Sequence, residues 1–124
     1  MTTPSPKFAR GEIWWVDFNP SIGSEMQKVR PAAVLSTDAT GILKLRLVVP
    51  LTTWQPKFQG KPWLVRVEKT SENGLQSDCA GDVFQLKSVS TERFGDRVGR
   101  LNADRLSELA AAVAMIVGYL PRAG

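Results

Sequence analysis

Apolar residues alternate with polar ones through several short stretches of this 124-residue chain, and only near its end does their spacing change to three and four. A pattern of that kind builds short antiparallel strands followed by one helix. Within residues 45–51, Leu45, Leu47, Val49 and Leu51 share one face and Arg46 lies on the other, so the leucine face is expected inside. Trp63, Val65 and Val67 repeat the alternation against Leu64, Arg66 and Glu68, and Asn73 with Gly74 then offers the positive-φ pair of a hairpin turn. Residues 11–18 (GEIWWVDF), dense in aromatic and β-branched side chains and closed by Asn19 and Pro20, read as the first strand. Residues 31–36 (PAAVLS) read as the second, with Pro31 at the first position a strand tolerates. Later strands are expected at 82–86 and 97–101, with a short helical turn around 91–94. Leu106, Leu109, Ala110, Val113, Ile116, Val117 and Leu120 then form one helical stripe, with Asn102 as its N-cap and Gly118 and Pro121 marking its end. The architecture expected is mainly β with α: a compact antiparallel barrel or sheet with the helix packed on it.

With 43% hydrophobic residues the chain has the apolar content of one globular domain, expected over residues 10–121 behind a flexible lead of residues 1–9. Sixteen Lys and Arg against twelve Asp and Glu leave a formal charge of +4, which favours an anionic partner. The single Cys79 can form no internal disulfide and belongs to no zinc-ligand cluster, which fits a reducing compartment. Its simplest role is that of a small, partly buried side chain. The Thr-, Pro- and Ser-rich opening lacks the apolar core of a secretory signal, and the apolar run at 109–117 is shorter than the roughly 20 residues that span a bilayer. A soluble, cytoplasmic protein without a membrane partner is expected. Histidine is absent, so acid–base chemistry near neutral pH has to proceed without imidazole.

Two stretches carry the chemistry. The polar loop ending in Gly23-Ser24-Glu25-Met26-Gln27-Lys28-Val29-Arg30 delivers an arginine to the mouth of a buried strand. Arg30 presents a planar fork of donors suited to phosphate oxygens; the alternative is a surface arginine paired with a carboxylate. Thr52 and Thr53 follow the third strand and lead into Trp54-Gln55-Pro56-Lys57-Phe58-Gln59-Gly60-Lys61, which mixes cations with rings. Bases can stack on Trp54 or Phe58 while Lys57 and Lys61 meet phosphates, as single-stranded nucleic acid requires; the alternative is a solvated loop whose rings cover the core. Trp14 and Trp15 are adjacent on a strand and face opposite ways, so at least one belongs to the core.

The segments GEIWWVDFNPSIGSE, VRPAAVLS and VVPLTT, in this order and spacing, resemble the MazF/PemK toxins, and the resemblance continues through NGLQSDCAGDVFQLKSVS into the final helix. It implies a small SH3-like β-barrel with a C-terminal helix, acting as a homodimer with its substrate groove along the subunit interface. The implied activity is that of a toxin endoribonuclease, cutting single-stranded RNA without metal or other cofactor and neutralised by a cognate antitoxin. Arg30 and Thr52 match the family's catalytic pair, Glu25 a position that supports the site, and Gln85 one near the bound RNA. Ser24, Thr53, Trp54 and Lys57 join them as supporting or RNA-binding candidates. Two positions depart from the pattern: Met26 stands where a glutamine is frequent, and Phe84 where an acidic residue is frequent before the matched glutamine.

Cleavage of RNA without metal means attack by the neighbouring 2′-hydroxyl, giving a 2′,3′-cyclic phosphate and a 5′-hydroxyl. Arg30 is then the clamp on the developing charge and Thr52 a hydrogen-bond donor to a non-bridging oxygen. Arginine keeps its proton far above neutral pH and is therefore a poor acid there, and Glu25 is a candidate base by elimination. The alternative is a binding toxin of the CcdB type, which shares the barrel and poisons DNA gyrase without catalysis.

Overall fold

A computed structural model describes residues 7–119. Seven strands precede one helix: β1 (Glu12–Asp17), β2 (Val29–Val34), β3 (Leu45–Thr53), β4 (Leu64–Val67), β5 (Cys79–Asp82), β6 (Lys87–Ser90), β7 (Phe94–Arg100) and α1 (Ala103–Ile116). All pairings are antiparallel, in the order β4-β5-β3-β2-β1-β7, with β6 also on β3. The long β3 organises the sheet. One of its edges pairs with β2, while the other takes β6 through residues 45–48 and β5 through residues 51–53. No pairing joins β4 to β7 among the described residues, so the expected barrel is an open sheet and a barrel only loosely.

Alternating residues of β1, β2 and β3 feed two cores, one on each face. Ile13, Ala33, Val49 and Leu51 join Val67, Leu75, Val83, Leu101 and Leu109 on the helix side. Val16, Phe18, Ala32, Val34, Val48 and Val89 form the other, with Trp14 and Phe94 packed against it. Phe8 closes this second core, its ring 4.6 Å from Trp14 and 4.4 Å from Phe94. Burial on both faces explains why β2 reads as a continuous apolar run.

The face assigned to β3 is reversed in its first half. Arg46 and Val48 point inward, whereas Leu45 is 50% and Leu47 42% exposed. Arg46 is tolerated inside because its guanidinium donates to five backbone carbonyls: Leu43 (2.6 Å), Leu45 (2.9 Å), Gly41 (3.2 Å), Phe8 (3.1 Å) and Lys7 (2.9 Å). Chain direction, not side-chain polarity, supplies these acceptors, and nothing local in the sequence marks them.

Other boundaries shift for local reasons. β2 begins at Val29, so Arg30 lies within a strand; Pro31 is accommodated there because pairing with β3 starts only at Ala32. The strand expected at 82–86 is a 3-10 turn over Val83–Gln85, since the Asp82 carboxylate accepts from the Phe84 N–H at 3.2 Å and caps the turn. β4 and β5 are joined by residues 68–78 instead of a two-residue turn. Only Gly74 of the Asn73-Gly74 pair has positive φ (+67°), and buried Asn73 holds the connection by bonds to Thr70, Leu75 and Glu68. The 3-10 turn at Thr91–Arg93 lies where a helical turn was expected.

Asn102 caps α1, its side chain accepting from the Arg105 N–H at 2.8 Å. Leu109 and Ala112 are buried, and Leu109 packs straight onto Gly81: a Cβ there would lie 2.6 Å from Leu109 Cδ2. Gly81 thus sets the closeness of helix and sheet. Val117, expected in the apolar stripe, is the exposed C-cap residue, with Gly118 (φ +75°) beyond it. Leu120 and Pro121 lie outside the described residues.

Candidate active site

β2 and β3 part at their ends nearest the loop that precedes β2, and the candidate residues lie at that parting. The register Val34↔Val48, Ala33↔Val49, Ala32↔Pro50, carried two residues past the last pair, sets Arg30 opposite Thr52. Both line a cleft of about 440 Å³ together with Thr53, Trp15, Gln76, Ser77 and Arg97. Lys28, with φ +70°, turns the chain into β2 just ahead of Arg30. The Arg30 Nε donates to the Gln27 carbonyl at 3.0 Å, and among the described residues no carboxylate pairs with its guanidinium. The alternative of an arginine held in a surface ion pair therefore does not apply. Thr52 is half-buried, and its hydroxyl has no protein hydrogen-bond partner among the described residues.

Arg30 also borders a second, open recess of about 420 Å³ lined by Ser24, Glu25, Met26, Gln27, Lys28, Asp82 and Gln85. Gln85 pins the loop across it, accepting from Met26 N–H at 2.9 Å and donating to the Ser24 carbonyl at 3.0 Å. Its amide thus holds backbone on both sides of Glu25. Glu25 itself closes a local turn by accepting from the Ile22 N–H at 2.8 Å. Burial pushes the Asp82 carboxyl upward from its ordinary value, opposed by backbone N–H groups of Phe84 and Gln85.

Trp54 and Lys57 stand apart from this pair. Trp54 lines a separate surface groove with Phe58, Lys61 and Arg66, while Lys57 lies over the Phe58 ring, 6.0 Å from its centroid. One face of the Trp54 ring is taken by the Arg66 guanidinium, 5.1 Å from its centroid, which also pairs with Asp78 at 3.3 Å. Asp78 is held below the usual carboxylate range by the Lys69 backbone N–H and by Arg66. Cys79 is buried, its thiol pushed up by desolvation and directed at the Ser77 carbonyl, so it is a poor nucleophile. No group of three His, Cys, Asp or Glu able to hold a metal ion occurs among the described residues.

Several of these residues were not legible from sequence. Trp15, Gln76, Ser77 and Arg97 reach the cleft through β1–β7 pairing and the long connection after β4. Arg97 is fixed there by Glu12 at 2.8 Å. Only Trp15 carried a signal, as the tryptophan opposite core-facing Trp14.

The family model for PemK-like, MazF-like toxins of type II toxin–antitoxin systems matches residues 9–117. The chain belongs to this toxin family. Among curated MazF relatives it is 38% identical over 112 residues to endoribonuclease MazF9 of Mycobacterium tuberculosis, covering 86% of this chain and 92% of that protein. The crystal structure of MazF from Deinococcus radiodurans superposes with a TM-score of 0.73 at 25% identity, covering 95% of this chain and 99% of that one. A mycobacterial endoribonuclease in complex with its cognate antitoxin shares the fold, with a TM-score of 0.70 at 19% identity and coverage of 93% and 98%. The MazF-like fold is thus established, and the gyrase-poisoning alternative finds no support in these likenesses.

Proposed function

We propose that this chain is the toxin of a toxin–antitoxin pair and cleaves single-stranded RNA, with Arg30 and Thr52 as its catalytic pair. The observation that carries the reading is their juxtaposition: an arginine without a carboxylate partner among the described residues lines the same cleft as a threonine of the neighbouring strand, in a chain of the PemK/MazF family. A phosphodiester in the cleft meets the Arg30 fork and the Thr52 hydroxyl, which favour the extra negative charge of a pentacoordinate phosphorus over the ground state. The neighbouring 2′-oxygen attacks, the bond to the 5′-oxygen breaks, and the products are a 2′,3′-cyclic phosphate and a 5′-hydroxyl. Thr53 and the Ser24–Glu25 loop held by Gln85 shape the channel, and Trp54 and Lys57 offer a flanking contact to the strand. One domain, which buried Ala9 and the Phe8 ring extend ahead of residue 10, a homodimer and a cytoplasmic location complete the proposal. No described helix is long and apolar enough to cross a membrane.

Cleavage is expected to persist in EDTA, because the nucleophile belongs to the substrate and the stabilising charge to Arg30. Replacing the 2′-hydroxyl at the cut site by hydrogen should abolish cutting with little change in binding. Magnesium-dependent activity, or cutting of an all-DNA strand, contradicts the mechanism.

The antitoxin is expected to reach the same basic cleft with an acidic segment, so antitoxin peptide and short RNA should displace each other, and salt should weaken both. Simultaneous independent binding in a fluorescence competition assay argues against a shared site.

A further inference from the structure

Position 84, where the family resemblance makes an acidic residue frequent, holds Phe84, 65% exposed with its ring edge-on to Trp63 at 6.1 Å. A carboxylate is nevertheless present in the recess beside Arg30. Asp82, at the end of β5, lines it together with Glu25, Gln85 and Arg30. One Asp82 oxygen caps the Val83–Gln85 turn through the Phe84 N–H, which fixes the carboxylate against a rigid strand end. Glu25, by contrast, sits on an exposed loop and is engaged in closing its own turn.

Resting on the nuclease reading above, we propose that Asp82 is the general base of the reaction, from its place beside Arg30 in the recess. The Asp82 carboxylate accepts the 2′-hydroxyl proton as the 2′-oxygen forms its bond to phosphorus. The bond from phosphorus to the 5′-oxygen breaks with both electrons, and the departing oxygen takes a proton from water. Asp82 then returns its proton to solvent, and no oxidant or co-reactant is needed. Desolvation raises the proton affinity of Asp82 and brings it closer to neutrality, where a base is most effective. The charged groups lining the recess with it are Glu25, Lys28 and Arg30; its partner on β4 is apolar Leu64, and the core residues of α1 on the other side are Leu109 and Ala112.

The test is Asp82→Asn, because asparagine caps a turn as well as aspartate does and so spares the fold while removing the base. The rate at saturating RNA should fall by about a hundredfold or more with RNA affinity nearly unchanged. Wild-type kcat should decline as pH falls through the Asp82 titration, which burial raises from its ordinary value, and this acidic limb should be absent from Asp82→Asn yet kept by Glu25→Gln. A variant within a few-fold of wild type and with the limb intact overturns the inference, as does loss of the limb in Glu25→Gln. Wild-type protein that leaves RNA uncut, with purity and folding verified, overturns the nuclease reading itself, an outcome distinct from either.

Discussion

Arg30→Ala is expected to slow RNA cleavage by about a hundred- to a thousandfold while leaving the melting curve nearly where it was. Both halves follow from the position of the side chain. Among the described residues the Arg30 side chain joins no core cluster and makes one hydrogen bond, to the carbonyl of exposed Gln27, so its removal should cost under about 0.5 kcal/mol. The same freedom from protein partners leaves the terminal amino groups of the fork for phosphate oxygens. Arg30→Lys separates geometry from charge: the ammonium still attracts RNA but cannot span two oxygens, so binding should recover far better than turnover. Thr52→Val, close to isosteric, removes one donor and should cost a similar or smaller factor than Arg30→Ala. Fragment yield over time, read beside thermal melting for all three variants, makes the comparison. Near-wild-type cleavage by Arg30→Ala with an unchanged melting curve would remove Arg30 from the site.

The cleft was partly legible because Arg30 and Thr52 lie at strand ends that follow strong patterns: the apolar run of β2 and the end of β3. What makes them neighbours is the β2–β3 register, which the two apolar stretches also specify. Arg97 and Gln76 could not be read in the same way. Each reaches the cleft by non-local pairing or through a long connection, and local sequence contains no record of such proximity. Asp82 was hidden for a different reason. It stands where a strand was expected to begin, and only the competition of its own carboxylate for the Phe84 N–H turns the chain and leaves the side chain in the recess beside Arg30. The helix was the clearest element, because Asn102, the stripe through Leu106 and Leu109, and Gly118 all point the same way. Even there Val117 fell outside the buried face, since the helix ends one residue before it.

The misread face of β3 leads to the largest expected effect on stability, at Arg46. Alternation alone placed Leu45 and Leu47 inside, and it failed because it treats an arginine as a marker of solvent. A buried guanidinium is tolerable when donors and acceptors match, and here the acceptors are the carbonyls of Gly41, Leu43 and Leu45 in the approach to β3 and those of Lys7 and Phe8. Arg46 therefore ties the segment before β1 to the turn before β3 and seats Phe8 on Trp14 and Phe94. Arg46→Met keeps much of the side-chain volume but deprives five carbonyls of their donor. Each unmade bond to a buried acceptor costs about 1–3 kcal/mol. Carbonyls at the exposed Lys7 and Leu43 can turn to water, so the total should be on the order of 3 kcal/mol rather than the full sum. For a domain of this size that lowers the melting temperature by on the order of 10 °C. Arg46→Lys should do no better, because three donors on one nitrogen cannot span acceptors arranged around a planar fork and the charge stays buried. Leu47→Ala supplies the contrast: were the leucine face the inner one it would cost about 2–5 kcal/mol, whereas a side chain 42% exposed should cost far less. Calorimetry on the three variants settles the order, and a Leu47→Ala loss exceeding that of Arg46→Met would return β3 to the face that its alternation implied.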